Sequence, residues 1–116
     1  MSIIDTFDYD GEEIIKAESN VRRIEDFPQT ILVVFSVKMR DLFMNTYHPS
    51  KIGALYAAGW ELPILQFTYK GKKVGFFHTI LGGAGAAALL EELLALGAEK
   101  CLYFGVCGAL DKKIAA

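Results

Sequence analysis

The chain has 116 residues, a length typical of one domain with one hydrophobic core. Hydrophobic residues make up 53% of it and charged residues 22%, a balance that argues against intrinsic disorder. The net charge of −2 offers no electrostatic basis for binding nucleic acid or an anionic membrane surface, whereas a small or neutral ligand is compatible with it.

The cysteine content and the lack of targeting signals indicate the cellular compartment. Cys101 and Cys107 are too few for a disulfide framework, and no cluster of ligands predicts a metal site. Both are expected to be reduced thiols in a reducing compartment. No charged start precedes an apolar stretch as in a secretory signal, and no apolar run reaches the ~18 residues of a membrane-spanning helix. These features predict a cytoplasmic chain with no membrane partner.

The polar start of the chain differs in character from the rest. We expect residues 1–28 to form an N-terminal extension and residues 29–116 an α/β core, within a single domain. In the extension, residues 11–16 place acids before two isoleucines, which favours a short helix.

The first strand of the core is expected at residues 31–35, a short apolar and β-branched run typical of a strand buried on both faces. Ser36 is a suitable N-cap for the helix that follows, and Pro49 would end that helix. The helix would turn four residues at helical spacing toward the core, namely Met39, Leu42, Phe43 and Tyr47.

A hairpin is the next feature. Residues 52–55 are interpreted as a weak strand, and residues 64–69 and 73–79 as the two arms of the hairpin. Lys70-Gly71 lies between the arms, and an X-Gly pair between two β-rich runs is a strong hairpin signal.

The second arm leads into a strand, glycine turn, helix, strand unit. Glycines cluster at residues 82–85, a helix is predicted over 86–96, and Gly97 is placed to end it. Residues 101–104 are interpreted as a buried strand and 105–108 as a tight turn after it. Two strands joined by a helix imply a parallel pair, and ligands of open α/β sheets collect at the carboxyl ends of such strands.

Three strand exits therefore define the candidate site. One exit contributes the positively charged Arg40, as a ligand for an anion, and the other two contribute backbone turns. The residues expected to line the pocket from those turns are Thr79, Gly82, Gly83, Val106, Cys107 and Gly108.

Each of these features also has a plainer interpretation. Residues 83–88 fit G-x-G-x-x-A, which could mark a dinucleotide site, a turn lining another ligand, or close packing of helix on sheet. A dinucleotide site needs an acid after the next strand, where residues 105–108 carry none. Arg40 could be a solvated surface residue, His78 a packing residue, and Cys107 lacks a recognisable base for a nucleophilic role.

Taken in order, four segments resemble the nucleoside phosphorylase superfamily, which includes purine nucleoside phosphorylase, uridine phosphorylase and methylthioadenosine nucleosidase. The segments are the hairpin turn 70–74, the turn 79–83, the leucine-rich helix 86–98 and the G-x-C-G turn 105–109. The likeness extends from about residue 69 to residue 114. It implies a three-layer α/β/α fold with a mixed central sheet, and no metal. It also implies cleavage of the N-glycosidic bond of nucleosides, with phosphate or water as acceptor and no further cofactor.

Only some of the phosphate-binding residues that the resemblance implies are present in this sequence. Arg40 matches the arginine of the family's first phosphate loop, whereas Tyr103 and Val106 stand where the family commonly has an arginine and a Ser or Thr. A hydrogen bond to a charged group is worth about 1.5–3 kcal/mol, so two lost contacts lower phosphate affinity roughly 10²- to 10⁴-fold. Phosphate would be a co-substrate only if the chain is active.

The chain differs from the family it resembles in length, since family domains are about twice as long. The ribose-binding glutamate and the acid that protonates the leaving base lie in the second half of those domains. We therefore expect an N-terminal half, catalytically incomplete alone, with no nameable catalytic residue. Its last strand would expose an edge that a homodimer or higher oligomer covers. The alternatives are a non-enzymatic remnant that binds nucleoside weakly or only self-associates, and a dinucleotide-binding fragment.

Overall fold

In the computed structural model the described residues are 3–114, which form three α-helices and five strands after a 3-10 turn at Ile3–Thr6. The helices are α1 (Ala17–Asn20), α2 (Val37–Tyr47) and α3 (Gly83–Leu96). The strands are β1 (Thr30–Val34), β2 (Ser50–Ala57), β3 (Trp60–Tyr69), β4 (Lys72–His78) and β5 (Lys100–Phe104). The longest of these helices, α3, has 14 residues, and none of the helices described is long and apolar enough to cross a bilayer.

The five strands form one mixed sheet in the order β2-β3-β4-β1-β5. Strand β1 is parallel to β4 on one side and to β5 on the other, while β3 runs antiparallel to both β4 and β2. The mixed sheet was predicted. The parallel relation of β4 and β5 was predicted as well, but β1 lies between them, so each pairs with β1 and not with the other.

Two apolar clusters cover the two faces of the sheet. Alternation along β1 divides its side chains, since Ile31 and Val33 join the α3 cluster and Val34 joins the other. Leu93 of α3 is fully buried in the first cluster, and Met39 and Phe43 of α2 pack against the second. The predicted three-layer α/β/α fold is therefore confirmed.

Local signals determined several boundaries correctly. Lys70 and Gly71 both have positive φ (48° and 76°), as a two-residue type I′ hairpin turn requires. Ser36 Oγ accepts a hydrogen bond from the Met39 amide at 3.4 Å, which caps α2. Gly97 ends α3 with φ of 131°, a conformation that side chains with a Cβ rarely adopt.

Two strands are longer than predicted. The predicted strand at 52–55 is part of β2, and β3 begins at Trp60 and continues through Pro63. Pro63 is tolerated because it is aligned only with Ala54 of β2, while the ladder to β4 begins one residue later at Ile64. The missing amide hydrogen therefore removes no bond to β4.

Other expectations about local structure were wrong. Residues 11–16 are not helical, and the one helical turn nearby is α1. Ile14 and Ile15 are exposed, so no core contact stabilises a helix there, and short helices are marginal without packing. Helix α3 begins at Gly83 and not at residue 86, and Leu42 faces solvent.

The end of the described chain also differs from the sequence prediction. Strand β5 lies at the edge of the sheet, in agreement with the exposed edge that the family resemblance implied, but its interpretation as a buried strand was wrong, since Leu102 is 63% and Phe104 50% exposed. Residues 105–108 form irregular coil and not a tight turn. The turn falls further on, where the Ile114 amide donates to the Asp111 carbonyl at 3.0 Å. Hydrophobic composition alone does not distinguish a central strand from an edge strand.

Candidate functional site

The carboxyl ends of β4, β1 and β5 lie level with one another. Val34, the last residue of β1, is aligned with His78 of β4 on one side and with Phe104 of β5 on the other. The Thr79 amide continues the ladder by donating to the Val34 carbonyl at 2.9 Å. We call this the carboxyl edge: residues 35–36, 79–83 and 105–108, which follow the three strands. The predicted candidate residues after β4 and β5 therefore start from the same edge of the sheet.

The exit from β4 combines a buried hydroxyl with open space. Thr79 is only 3% exposed, and its Oγ1 has no hydrogen-bond partner among the described residues. An unsatisfied buried hydroxyl of this kind costs about 1–3 kcal/mol. Gly82 has φ of 106°, and a Cβ placed on Gly82 or Gly83 would meet no atom within 4 Å. The start of α3 is thus open to a ligand, and the first amides of a helix lack intrahelical acceptors.

Aromatic contacts organise the exits of β1 and β5. The rings of Phe35 and Tyr103 lie 5.9 Å apart, and the Tyr103 hydroxyl donates to the Ala86 carbonyl of α3 at 3.4 Å. His78 Nε2 lies 3.2 Å from the Phe35 carbonyl oxygen, which agrees with a packing role for this histidine. A Cβ on Gly105 would lie 3.3 Å from the Phe35 ring, so the chain leaves β5 close against it. Phe35 was predicted only as the last residue of the first strand and not as part of this edge.

The residues predicted to line the site after β5 are open to solvent. Val106 is 98% exposed, Cys107 is also exposed, and a Cβ on Gly108 would have no atom within 4 Å. The structure places these three residues after the β5 exit without packing them onto Thr79 or Gly82. Their role as ligand contacts stays a prediction.

The Arg40 side chain forms an ion pair with its neighbour Asp41 and is therefore not free to bind a ligand. Its Nε and Nη2 both donate to Asp41 Oδ1, at 2.9 and 2.8 Å, and the pair is partly exposed. Arg40 borders a groove between α2 and β3 that Pro63 and Leu65 also line. The carboxylate of Asp41 was not predicted as a partner of Arg40, although the two adjacent residues of opposite charge are visible in the sequence. Phosphate binding by Arg40 stays a prediction.

The two thiols lie in different environments. Burial raises the pKa of the Cys101 thiol above its ordinary value of 9.0. Burial also raises the pKa of the Tyr103 hydroxyl, and the nearby Cys101 adds to this by charge repulsion. Both groups therefore keep their protons at neutral pH, which argues against Cys101 as a nucleophile. Between residues 3 and 114, no group of three or more His, Cys, Asp or Glu side chains is arranged to hold a metal ion.

Thiol labelling tests this contrast. We compare Cys101→Ser, which retains the exposed Cys107, with Cys107→Ser, which retains the half-buried Cys101. At pH 8 the Cys107 thiol should react with an aromatic disulfide reagent at least about tenfold faster, because it is accessible. The rate at Cys101 should keep rising above pH 9.0, since its proton is retained to higher pH. Equal rates in the native proteins, with equal rates in denaturant, would mean that residues 105–108 are covered.

The fold and the carboxyl edge together define the class: the chain has the three-layer α/β/α architecture of the nucleoside phosphorylases, and the resemblance predicted from its sequence is confirmed. A purine nucleoside phosphorylase from Toxoplasma gondii, solved in complex with immucillin-H, is 25% identical and has a TM-score of 0.60. The match covers 77% of this chain and 35% of that one.

A uridine phosphorylase from Vibrio fischeri is also similar in structure. It is 16% identical, has a TM-score of 0.56, and the match covers 71% of this chain and 33% of that one. The chain thus spans about a third of the length of these solved structures. No protein-family model matches the sequence. No curated protein is significantly similar to it.

Proposed function

We propose that the carboxyl edge binds a nucleoside, and that this chain acts as part of a nucleoside phosphorylase-like unit that cleaves N-glycosidic bonds. The observation that carries the proposal is the level ending of β4, β1 and β5, with open space at Gly82 and Gly83 after β4. Ligands of open α/β sheets bind at such strand ends. Further support comes from the purine nucleoside phosphorylase neighbour, whose structure holds immucillin-H.

The chain by itself is proposed to bind nucleoside without cleaving it. Family resemblance assigns the ribose-binding glutamate and the acid for the leaving base to the second half of those domains, and this chain spans about a third of the length of the similar solved structures. Binding of phosphate, the co-substrate, would depend on Arg40, whose guanidinium forms an ion pair with the Asp41 carboxylate. Tyr103, which stands where the family commonly has an arginine, directs its hydroxyl to the Ala86 carbonyl of α3.

Self-association through β5 is the second part of the proposal. Among the described residues this strand pairs only with β1, and its exposed Leu102 and Phe104 form an apolar patch on one face of the edge strand. Exposed apolar edge strands readily pair with another strand. A second copy that adds its own β5 would cover the patch. If the chain only self-associates and binds no nucleoside, the non-enzymatic alternative is correct.

A substitution at Gly83 tests nucleoside binding. Leucine there would fill the open space at the start of α3, where a Cβ meets no atom, so the fold should be retained and the ligand excluded. We expect Gly83→Leu to weaken binding of inosine, uridine, methylthioadenosine or immucillin-H at least about tenfold, as judged by calorimetry. Ala88→Leu adds the same side chain on an exposed position of the same helix and should bind as the parent does.

The outcomes of this experiment separate the three functional hypotheses. Equal affinity of Gly83→Leu and the parent would exclude the carboxyl edge as the site. Stabilisation by NAD but not by nucleosides, in a thermal-shift comparison, would favour the dinucleotide alternative. Release of base from any of the three substrates, with or without phosphate, would overturn the proposal that the chain alone is inactive.

A further inference from the structure

A basic groove lies at the opposite edge of the sheet, where β4, β1 and β5 begin. Four lysines border it, three from the hairpin between β3 and β4 and one from the start of β5; these are Lys70, Lys72, Lys73 and Lys100. The floor is the chain that leads into β1, including Phe27 and Gln29. Strand β1 has five residues of about 3.3 Å rise each, so this edge is separated from the carboxyl edge by about 16 Å.

Strand register explains how distant lysines reach one groove. Lys100 is aligned with Thr30 at the start of β1, while Gly75 of β4 is aligned with Ile31. Lys72 and Lys73 precede Gly75, so the hairpin extends past the beginning of β1 and forms a wall beside the groove. Gly75 permits this close approach, because a Cβ there would lie 2.1 Å from Ile31 Cδ1.

The charges in the basic groove are unbalanced. None of the four lysines forms an ion pair with a carboxylate in the described part of the chain, in contrast to Arg40 and Lys51. Asp26 is the one acid among the residues that line the groove. A concentration of unpaired amines in a chain of net charge −2 raises the local potential and attracts anions. An anion bound among them would relieve their mutual repulsion.

The groove also offers an aromatic surface and enough room for more than a single ion. Tyr69 is exposed at its rim, and the Lys70 amine lies 5.4 Å from the centre of the Tyr69 ring. The groove has a volume of about 880 Å³, compared with about 510 Å³ for the groove beside Arg40. Stacking on an aromatic ring together with several amines suits a ligand that carries both a planar base and several phosphates.

We infer that the basic groove binds a small nucleotide bearing several phosphates, with its phosphates among the lysines and its base against Tyr69. This site is separate from the proposed nucleoside site, since the carboxyl edge uses the other ends of the same strands. A nucleoside lacks the charge that the lysines recognise and should bind at the carboxyl edge only. The two sites can therefore be occupied and tested independently.

Chemical-shift mapping on the isotope-labelled chain tests this inference directly. Adenosine triphosphate, and separately inorganic triphosphate, should perturb the amides of residues 69–74, 29–30 and 100, and inorganic triphosphate, which carries no nucleoside, should leave residues 79–83 unchanged. Both ligands should bind less tightly as salt is raised, because the amines are exposed and screened. Adenosine triphosphate should bind more tightly than inorganic triphosphate, owing to the contact with Tyr69. Perturbation confined to residues 79–83, or no binding at low salt, would overturn the inference.

A matched pair of variants provides the second test. Lys72→Gln with Lys73→Gln should weaken triphosphate binding by about tenfold, since each exposed charge pair contributes a modest amount. Lys112→Gln with Lys113→Gln changes the net charge equally at an exposed site outside the groove and should leave affinity unchanged. An equal loss of triphosphate affinity in both variants would mean that the attraction is non-specific, and it would overturn the inference of a site in the basic groove. Neither variant should alter nucleoside binding, so this result is independent of the proposal for the carboxyl edge.

Discussion

Phe77→Ala is expected to destabilise the chain by about 3–5 kcal/mol, the usual cost of deleting a buried phenyl ring. Phe77 is fully buried near the carboxyl end of β4, aligned with Val33 of β1 and with Ile64 of β3. It also belongs to the apolar cluster that joins the sheet to α3. Domains of this size are stable by about 5–15 kcal/mol, so a large part of the folding free energy would be lost. Urea unfolding followed by circular dichroism measures the change.

The same substitution at an exposed phenylalanine is the control for Phe77. Phe7 is 64% exposed and contacts the Tyr9 ring at 4.8 Å between centroids, so Phe7→Ala should cost less than about 1 kcal/mol. Comparable losses for the two variants would mean that β4 is not at the centre of the core. The thermal midpoint of Phe77→Ala should fall by more than about 10 °C. A chain already unfolded at 25 °C would fit the upper end of the expected range.

Leu102→Lys is expected to convert a self-associated chain into a monomer. The wild-type chain should sediment with at least twice the mass of one copy at high concentration, because the free edge of β5 is apolar. A lysine at position 102 would place an amine in the paired edge, where its desolvation and its repulsion of the second copy oppose association. The dissociation constant should rise at least about tenfold, which corresponds to about 1.4 kcal/mol.

The control for the edge substitution lies on the opposite side of the sheet. Tyr56 is exposed on β2, the other edge strand, so Tyr56→Lys introduces the same charge on an edge that the proposal does not use. This variant should associate as the wild type does. A wild-type chain that stays monomeric at high concentration would exclude pairing through β5. If Tyr56→Lys alone causes dissociation, the copies associate through β2 and not through β5.

The two proposed sites use the same three strands in different ways. At the carboxyl edge β4 leads into the open glycines Gly82 and Gly83, which leave space for an uncharged nucleoside. At the basic groove β4 and β5 begin with lysines, and among the described residues these lysines have no carboxylate partner. Because the two edges are made by opposite ends of β4, β1 and β5, a substitution at one is expected to leave the other intact.

Much of the local structure follows from the sequence because its causes are local. A positive φ is adopted most readily by glycine, and Gly71 and Gly97 mark the hairpin turn and the end of α3. The hydroxyl of Ser36 lies three residues from the amide that it caps, within reach of any helix that begins there. These signals determined the main hairpin, the start of α2 and the end of α3 without knowledge of the remaining chain.

Only the tertiary structure decided which strands are neighbours. Strand β1 lies between β4 and β5 and pairs with both, whereas the sequence predicted only that β4 and β5 are parallel. Tertiary contacts also bury the Thr79 hydroxyl without a hydrogen-bond partner among residues 3–114, and they bring Lys100 to the groove beside Lys72. The reason is physical: strand order and burial depend on pairing between residues far apart in the chain, and periodicity within one segment carries no information about its partner.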